Sequence, residues 1–300
     1  MDKMDKSPHC CNAQRHNVNA YDWKNMNRRQ TTQWLSLLLL AVSCQASAVW
    51  QQTIHVGEPA SVAAVPAPAM PVQHASDVPD FSQIHDVAAK KQAFFEFMLP
   101  MIREANEKIR SDRNEILSMR YQLDNGYELG GGDHQRLKKL MAQYRLPVPE
   151  IMQYGDLTAL LERVDVVPAS LVLAQSANES GWGTSRFAVE ANNFFGIWCF
   201  TEGCGVVPKH RSSGLKHEVA KYDTVFDGVE AYMRTINTHR AYDGLRAIRA
   251  EQRAIADRLL GMELAEGLLA YSERGEDYVR EIQAMIRVNN LEAFTRESSV

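Results

Sequence analysis

The chain has 300 residues, 45% of them hydrophobic and 23% charged, with a formal net charge of −4. That usage excludes collagen-like, fully disordered and coiled-coil classes. The length allows one or two domains, and the acid excess gives no basic footprint for nucleic acid.

The first element is LSLLLLAV (35–42), the one strongly apolar run in the sequence. It falls far short of the roughly 20 residues that span a bilayer. Lys24, Arg28 and Arg29 precede it, and Ala46-Ser47-Ala48 follows with small residues at −3 and −1. This is the pattern of a secretory signal peptide over 1–48, and Met26 to Ala48 alone makes one of ordinary length. Cys44 lacks the upstream Leu of a lipoprotein signal, and Arg28-Arg29 lacks the rest of a twin-arginine motif. Cleavage after Ala48 leaves 27 basic and 34 acidic residues and only Cys199 and Cys204. Two cysteines left in an exported chain point to one disulfide. So short a loop contributes about 2 kcal/mol and would chiefly pin a hairpin. No stable membrane span is expected after signal cleavage.

Residues 49–83 hold much of the proline, and VAAVPAPAMPVQ has the composition of an extended linker. A helical segment is expected over 84–145. Val87, Phe94, Phe95, Met98, Met101 and Ile102 recur at helical spacing, with Pro100 able to kink or divide the run. Arg103, Arg110, Arg113 and Arg120 suit a solvated face. Gly130-Gly131-Gly132 marks a break before a helix over 134–144 and lacks the Lys-Ser/Thr of a phosphate loop. The second domain, 146–300, opens after Pro147 and Pro149. Asp156 is placed to cap a helix through Arg163. Pro168 suits the first turn of the next helix, which Gly181 and Gly183 end near Ser180. Strand character is confined to 199–222. Helices are expected at 225–238, 245–260 and 277–288.

The chemistry concentrates in LAQSANESGWGTSRFAVEANNFFGIW (173–198). Glu179 stands at a helix C-terminus, where the negative end of the dipole disfavours its charge. Neighbouring aromatic rings remove water, which raises a carboxyl pKa further. A carboxyl kept protonated near neutral pH is what a glycosidase general acid requires. Trp182, Phe194 and Asn193 offer the aromatic faces and amides that suit sugar, while Phe187 and Phe195 suit a core. The nine histidines show no metal-ligand spacing, and neither a metal nor a cofactor is expected.

These residues resemble the glucosaminidase domain of bacterial cell-wall hydrolases, glycoside hydrolase family 73. The resemblance rests on Ala174 to Gly183, Ser185-Arg186-Phe187-Ala188 and Asn192 to Ile197. With the Lys90-Lys91-Gln92-Ala93-Phe94-Phe95 stretch ahead of them, the chain looks most like the Bax family of Gram-negative bacteria. The resemblance implies a mainly α (α+β), lysozyme-like catalytic domain with a small β-hairpin lobe, preceded by a helical segment. It implies an endo-β-N-acetylglucosaminidase that hydrolyses β-1,4 bonds in peptidoglycan glycan strands. In a Gram-negative cell that activity is periplasmic, free or membrane-associated, and no amidase activity is expected. Glu179 aligns with the family's catalytic acid. Family members often place a second carboxylate in the β-lobe before a segment like Tyr222-Asp223. Glu218 lies just before it and would be the base or electrostatic partner, with a solvated strand position as the other reading and Asp223, better suited to start the next helix, as its rival. The stretch from Tyr271 to Tyr278 resembles a late motif with two tyrosines but departs in its middle. Tyr271 would support the reacting sugar or its acetamido group; Tyr278 would pack or line a subsite, with Tyr222 as a further binding residue. Two other classes stay open: a lytic transglycosylase leaving anhydromuramic ends, and a catalytically weak wall-binding protein. Protein partners are not specified by any motif.

Overall fold

In the computed structural model, which describes residues 78–296 apart from 210, 212, 213 and 257, one helix organises the rest. Helix α1 (Val87–Asp124) starts at Asp86, whose side chain accepts from the Ala89 amide. It runs for 38 residues, about 57 Å at 1.5 Å per residue. Pro100 neither ends nor divides it. The ring sits on the exposed side, where the carbonyl four residues back can bond to water. The opposite face buries Phe94, Met98, Ile102, Ala105, Ile109 and Ile116. The signal peptide and nearly all of the expected linker lie outside the described residues. The linker's last residues instead form a short 3-10 turn, Phe81–Gln83, with Phe81 buried.

Helix α2 (Gly131–Gln143) begins within the triple glycine, with Gly130 as its cap and Asp133 closing back on the Gly130 amide. The break is thus a helix start. Helix α3 (Tyr154–Arg163) is capped in the same way, with Asp156 in the first turn bonding the Gln153 amide. Asp156 serves from inside the helix and not ahead of it. Helix α4 (Ala169–Ser180) follows Pro168 and is buried along almost its whole length. α1 packs directly on α3, α4 and the later helix α6 (Val225–Thr238). One apolar cluster therefore runs from Phe81 to Leu291.

Between α4 and α6 come a short helix, α5 (Arg186–Ala191), and three strands: β1 (Trp198–Cys199), β2 (Gly205–Val206) and β3 (Glu218–Ala220). The sheet order is β1-β3-β2, with both pairings antiparallel. A small sheet lobe on a mainly α domain is the lysozyme-like plan that the resemblance implied. The lobe is not a hairpin closed by the disulfide, however. Cys199 and Cys204 are bonded, yet they belong to the two outer strands' connection, and β3 lies between those strands.

The chain closes with α7 (Asp243–Ile255), α8 (Gly261–Leu264), α9 (Glu276–Val288) and α10 (Glu292–Arg296). α7 stops short of the expected 260, where Ala256 turns to extended backbone while its amide still donates to the Gln252 carbonyl. Arg113 is the other correction on the helices. It leaves the solvated face and donates to the carbonyls of Leu161 and Val164 at 2.6 and 2.8 Å. No helix among the described residues is long and apolar enough to cross a membrane.

Candidate active site

Helix α4 delivers Glu179 one residue before its end. Gly181 (φ 56°), Trp182 (φ 59°) and Gly183 (φ 78°) then turn the chain through left-handed backbone. Two of the three are glycine, which enters that region without steric penalty. Ser180 holds the turn: its hydroxyl accepts from the Gly183 amide at 2.8 Å, and its carbonyl accepts from Ser185. At Gly183 a Cβ would stand 2.3 Å from the Phe81 ring, so the residue ahead of α1 seals the back of the turn.

Glu179 is half-buried, and burial lifts its carboxyl above the usual carboxylate range. Hydrogen bonds from Tyr278 and Asn178 pull the other way, as does Arg274, while Glu281 adds to the lift. The Tyr278 hydroxyl donates to Glu179 Oε1 at 2.8 Å, and Asn178 reaches the same oxygen at 3.4 Å. Oε2 faces Gly196, where a Cβ would lie 3.6 Å from it. That distance is ordinary contact; it is the φ of +63° that favours glycine at 196.

Behind Tyr278 the bonding is directional. Tyr232 donates to Gln175 Oε1, and Gln175 Nε2 donates to the Tyr278 oxygen at 2.9 Å. An amide whose oxygen is already an acceptor can present only its NH2 to Tyr278. The tyrosine proton is thereby left for Glu179. Burial keeps both tyrosine hydroxyls protonated. Sequence reasoning missed Gln175 and Tyr232. Gln175 precedes Glu179 by four residues on one helix, which places the two on one face.

The two late tyrosines stand differently toward Glu179. Tyr278 is buried and touches the carboxyl. The Tyr271 hydroxyl is taken by the Phe195 carbonyl at 2.7 Å, and its ring stacks on Tyr278 at 5.4 Å. Tyr271 thus braces Tyr278 and the turn that carries Gly196.

The remaining expected residues do not gather around Glu179. Phe194 is fully buried, packed on Phe94 and Phe97 of α1, and its ring is closed to sugar. Trp182 turns its indole to the same helix, against Phe94, Phe95 and the Lys91 ammonium. The apolar face of α1 needs burial, and Phe194 and Trp182 are among the rings that cover it. Asn193 is buried and fully bonded: its amide donates to Ile197 and Ala220 carbonyls, and its oxygen accepts from Phe195 and Ile197 amides. It shapes the turn and has no amide left for a ligand. The Tyr222 ring lies against Gly228 at the start of α6, where burial pushes its hydroxyl up to about 12. Phe195 is core, as expected, but Phe187 is only half-buried.

Glu218 is 4% exposed. Its two oxygens accept from the Gly203 and Gly205 amides at 3.1 and 2.8 Å. Those amides, with the nearby Arg211 charge, hold its carboxyl below the usual range. It sits under the disulfide loop as an anchor. The charged groups that act on Glu179 are Glu281 and Arg274 of the Arg274–Glu281 ion pair, not Glu218.

The glucosaminidase family model, described as mannosyl-glycoprotein endo-beta-N-acetylglucosaminidase, matches residues 156–291. The chain is 31% identical over 214 residues to Protein bax of Escherichia coli (strain K12), covering 71% of this chain and 75% of that protein. It is 33% identical over 82 residues to the exo-glucosaminidase LytG of Bacillus subtilis (strain 168), covering 25% of this chain and 29% of that protein. No solved structure matches the chain.

Proposed function

Because the chain belongs to the glucosaminidase family, we propose that it is an exported endo-β-N-acetylglucosaminidase of peptidoglycan, with Glu179 as general acid. The observation that carries this reading is the state of Glu179: half-buried, raised above the ordinary carboxylate range, and held through one oxygen only. With Tyr278 donating to Oε1, the acid proton resides on Oε2, the oxygen beside Gly196. That oxygen protonates the leaving glycosidic oxygen. A glycosidase that uses two carboxylates needs the second one free on the other side of the bond. Glu218 is occupied by two loop amides. This supports a route in which the substrate's own acetamido group stabilises the developing positive charge. An extracytoplasmic site of action, periplasmic in a Gram-negative cell, fits both the signal peptide pattern and the wall substrate.

Digestion of purified peptidoglycan, with mass spectrometry of the new chain ends, tests the proposal. Reducing N-acetylglucosamine ends are expected. Anhydromuramic ends would instead identify a transglycosylase, and intact glycan would identify a wall-binding protein. General acid catalysis contributes about 10²–10⁴-fold, so Glu179→Gln should lose that much of kcat while remaining folded. A folded Glu179→Gln protein with native turnover defeats the assignment. Glu218→Gln should loosen the 199–204 loop while leaving the pH dependence of kcat in place.

A further inference from the structure

The small sheet has two faces of different chemistry. Trp198 pairs with Val219 and Cys199 with Glu218, and side chains alternate along a strand. The disulfide and the buried Glu218 therefore occupy one face, and Trp198, His217 and Val219 the other. On that second face lies a cavity of about 550 Å3. Its base is the Trp198–His217 stack, with rings 4.3 Å apart, and the indole is 55% exposed. Phe187, Pro208 and Val219 form apolar walls.

Three cations line it, Arg186, Lys209 and Arg211, and among the described residues no acid does. Arg186 spends one guanidinium nitrogen on the Val207 carbonyl at 3.0 Å, and Arg211 one on the His217 carbonyl at 3.2 Å. Both forks are thus fixed in place with further N–H groups to offer. Arg211 also feels the Glu218 charge across the sheet, so Arg186 and Lys209 carry most of the uncompensated charge. A positive, apolar-walled hollow on a chain of net charge −4 selects an anionic ligand with an apolar body. The hollow is near the reaction as well. Gly196 adjoins Glu179 Oε2, and Trp198 follows two residues later, within about 7 Å along the backbone.

We propose that this cavity binds the carboxylate-bearing stem peptide of peptidoglycan, so that the enzyme selects glycan that still carries its peptides. The inference rests on the glucosaminidase reading and names a specificity site for it. Glycan held at Glu179 presents the peptide of a neighbouring sugar to the β-lobe. There the guanidinium forks meet its carboxylates and the exposed indole covers its apolar part.

The test uses the full chain on two substrates, intact peptidoglycan and the same glycan stripped of peptides by an amidase. Wild type should show a kcat/KM about tenfold higher on the peptide-bearing form, the worth of one charge-assisted hydrogen bond. In Lys209→Glu and in Trp198→Ala that ratio should fall toward one. Independently of catalysis, a tripeptide of alanine, γ-linked glutamate and diaminopimelate is titrated by NMR against its fully amidated form. The acidic tripeptide should shift the Trp198 indole resonance, and the amidated one should not. Equal kcat/KM on both substrates with no tripeptide shift overturns the proposal and leaves the hydrolase reading standing. A tripeptide shift abolished by Lys209→Glu, with neither glycan cleaved, supports the cavity and defeats the hydrolase reading instead.

Discussion

Glu179 is poised by opposing influences of known sign, and each is open to test. Burial and the Glu281 charge lift its carboxyl, while the Tyr278 and Asn178 hydrogen bonds lower it. If Glu179 is the general acid proposed above, it works only while protonated, and the alkaline limb of the kcat profile follows it. Glu281→Gln should move that limb to lower pH. Tyr278→Phe should move it to higher pH, at some loss of kcat as the carboxyl loses its anchor. Opposite shifts in a pair of profiles recorded on peptidoglycan check the assignment; shifts of one sign count against it. A stability corollary follows. A carboxyl raised in the folded state binds its proton more readily folded than unfolded. Its contribution is present below the unfolded value of roughly 4.3 and is lost as pH rises through the folded value. Glu179→Gln should therefore melt no lower than wild type at neutral pH while losing turnover.

Among the elements, α1 shows best what the sequence disclosed and what it hid. The ends of α4 and α6 were legible because local chemistry sets them: Gly181 in left-handed backbone stops one, and Thr224 with Asp227 starts the other. The direction of the Glu179 shift was legible, but its setting was not: burial raises it, and the ring beside the carboxyl is Tyr278, 99 residues on. Which aromatic faced which partner was not. Phe194 is core because its partners lie on α1, roughly a hundred residues away. The same holds for Arg113, whose partners are the Leu161 carbonyl in the last turn of α3 and the Val164 carbonyl just beyond it, and for the pairing of Tyr278 rather than Tyr271 with Glu179. Short elements such as α5 carry too few residues for a periodicity to show. The role of α1 predicts that Phe94→Ala is costly. Phe94 is fully buried against Phe81, Phe95, Trp182 and Phe194. Truncation of such a ring costs about 3–5 kcal/mol. Denaturant unfolding should show that loss. The same variant should lose activity although residue 94 touches no substrate, because Trp182 belongs to the turn that follows Glu179.

At the scale of the whole molecule, a buried ionic cluster ties distant segments together. Asp165, 3% exposed, receives Arg253 of α7 through both oxygens at 3.1 and 2.9 Å, with Arg113 of α1 at 3.5 Å. Arg249, also buried, spreads its guanidinium over the carbonyls of Glu162, Asp165 and Val166 and over Asn237 Oδ1. Burial pushes the Asp165 carboxyl up, but Arg249, Arg253 and Arg113 together outweigh it and hold it below the ordinary value. Its contribution is thus complete above the unfolded value of about 3.9 and is lost as pH falls through the folded one. Breaking a buried pair by removing one partner costs about 3–5 kcal/mol. Asp165→Asn should lose that much at neutral pH, measured by denaturant unfolding, and its stability should vary less with acid than that of wild type.

The Phe81 ring pressed on Gly183 sets a limit on how the chain can be processed. On the proposed reading as an exported protein, the chain meets proteases before it meets its substrate. The described contacts of the seal behind the Glu179 turn are made by Phe81, so a cut ahead of Pro79 leaves those contacts in the chain. A cut a few residues later removes it, because Phe81 lies ahead of α1 and is held largely by the rings it packs on. The hydrolase thus carries a tolerance zone and a forbidden zone side by side. The heterogeneity of its mature N-termini should stop abruptly at residue 80.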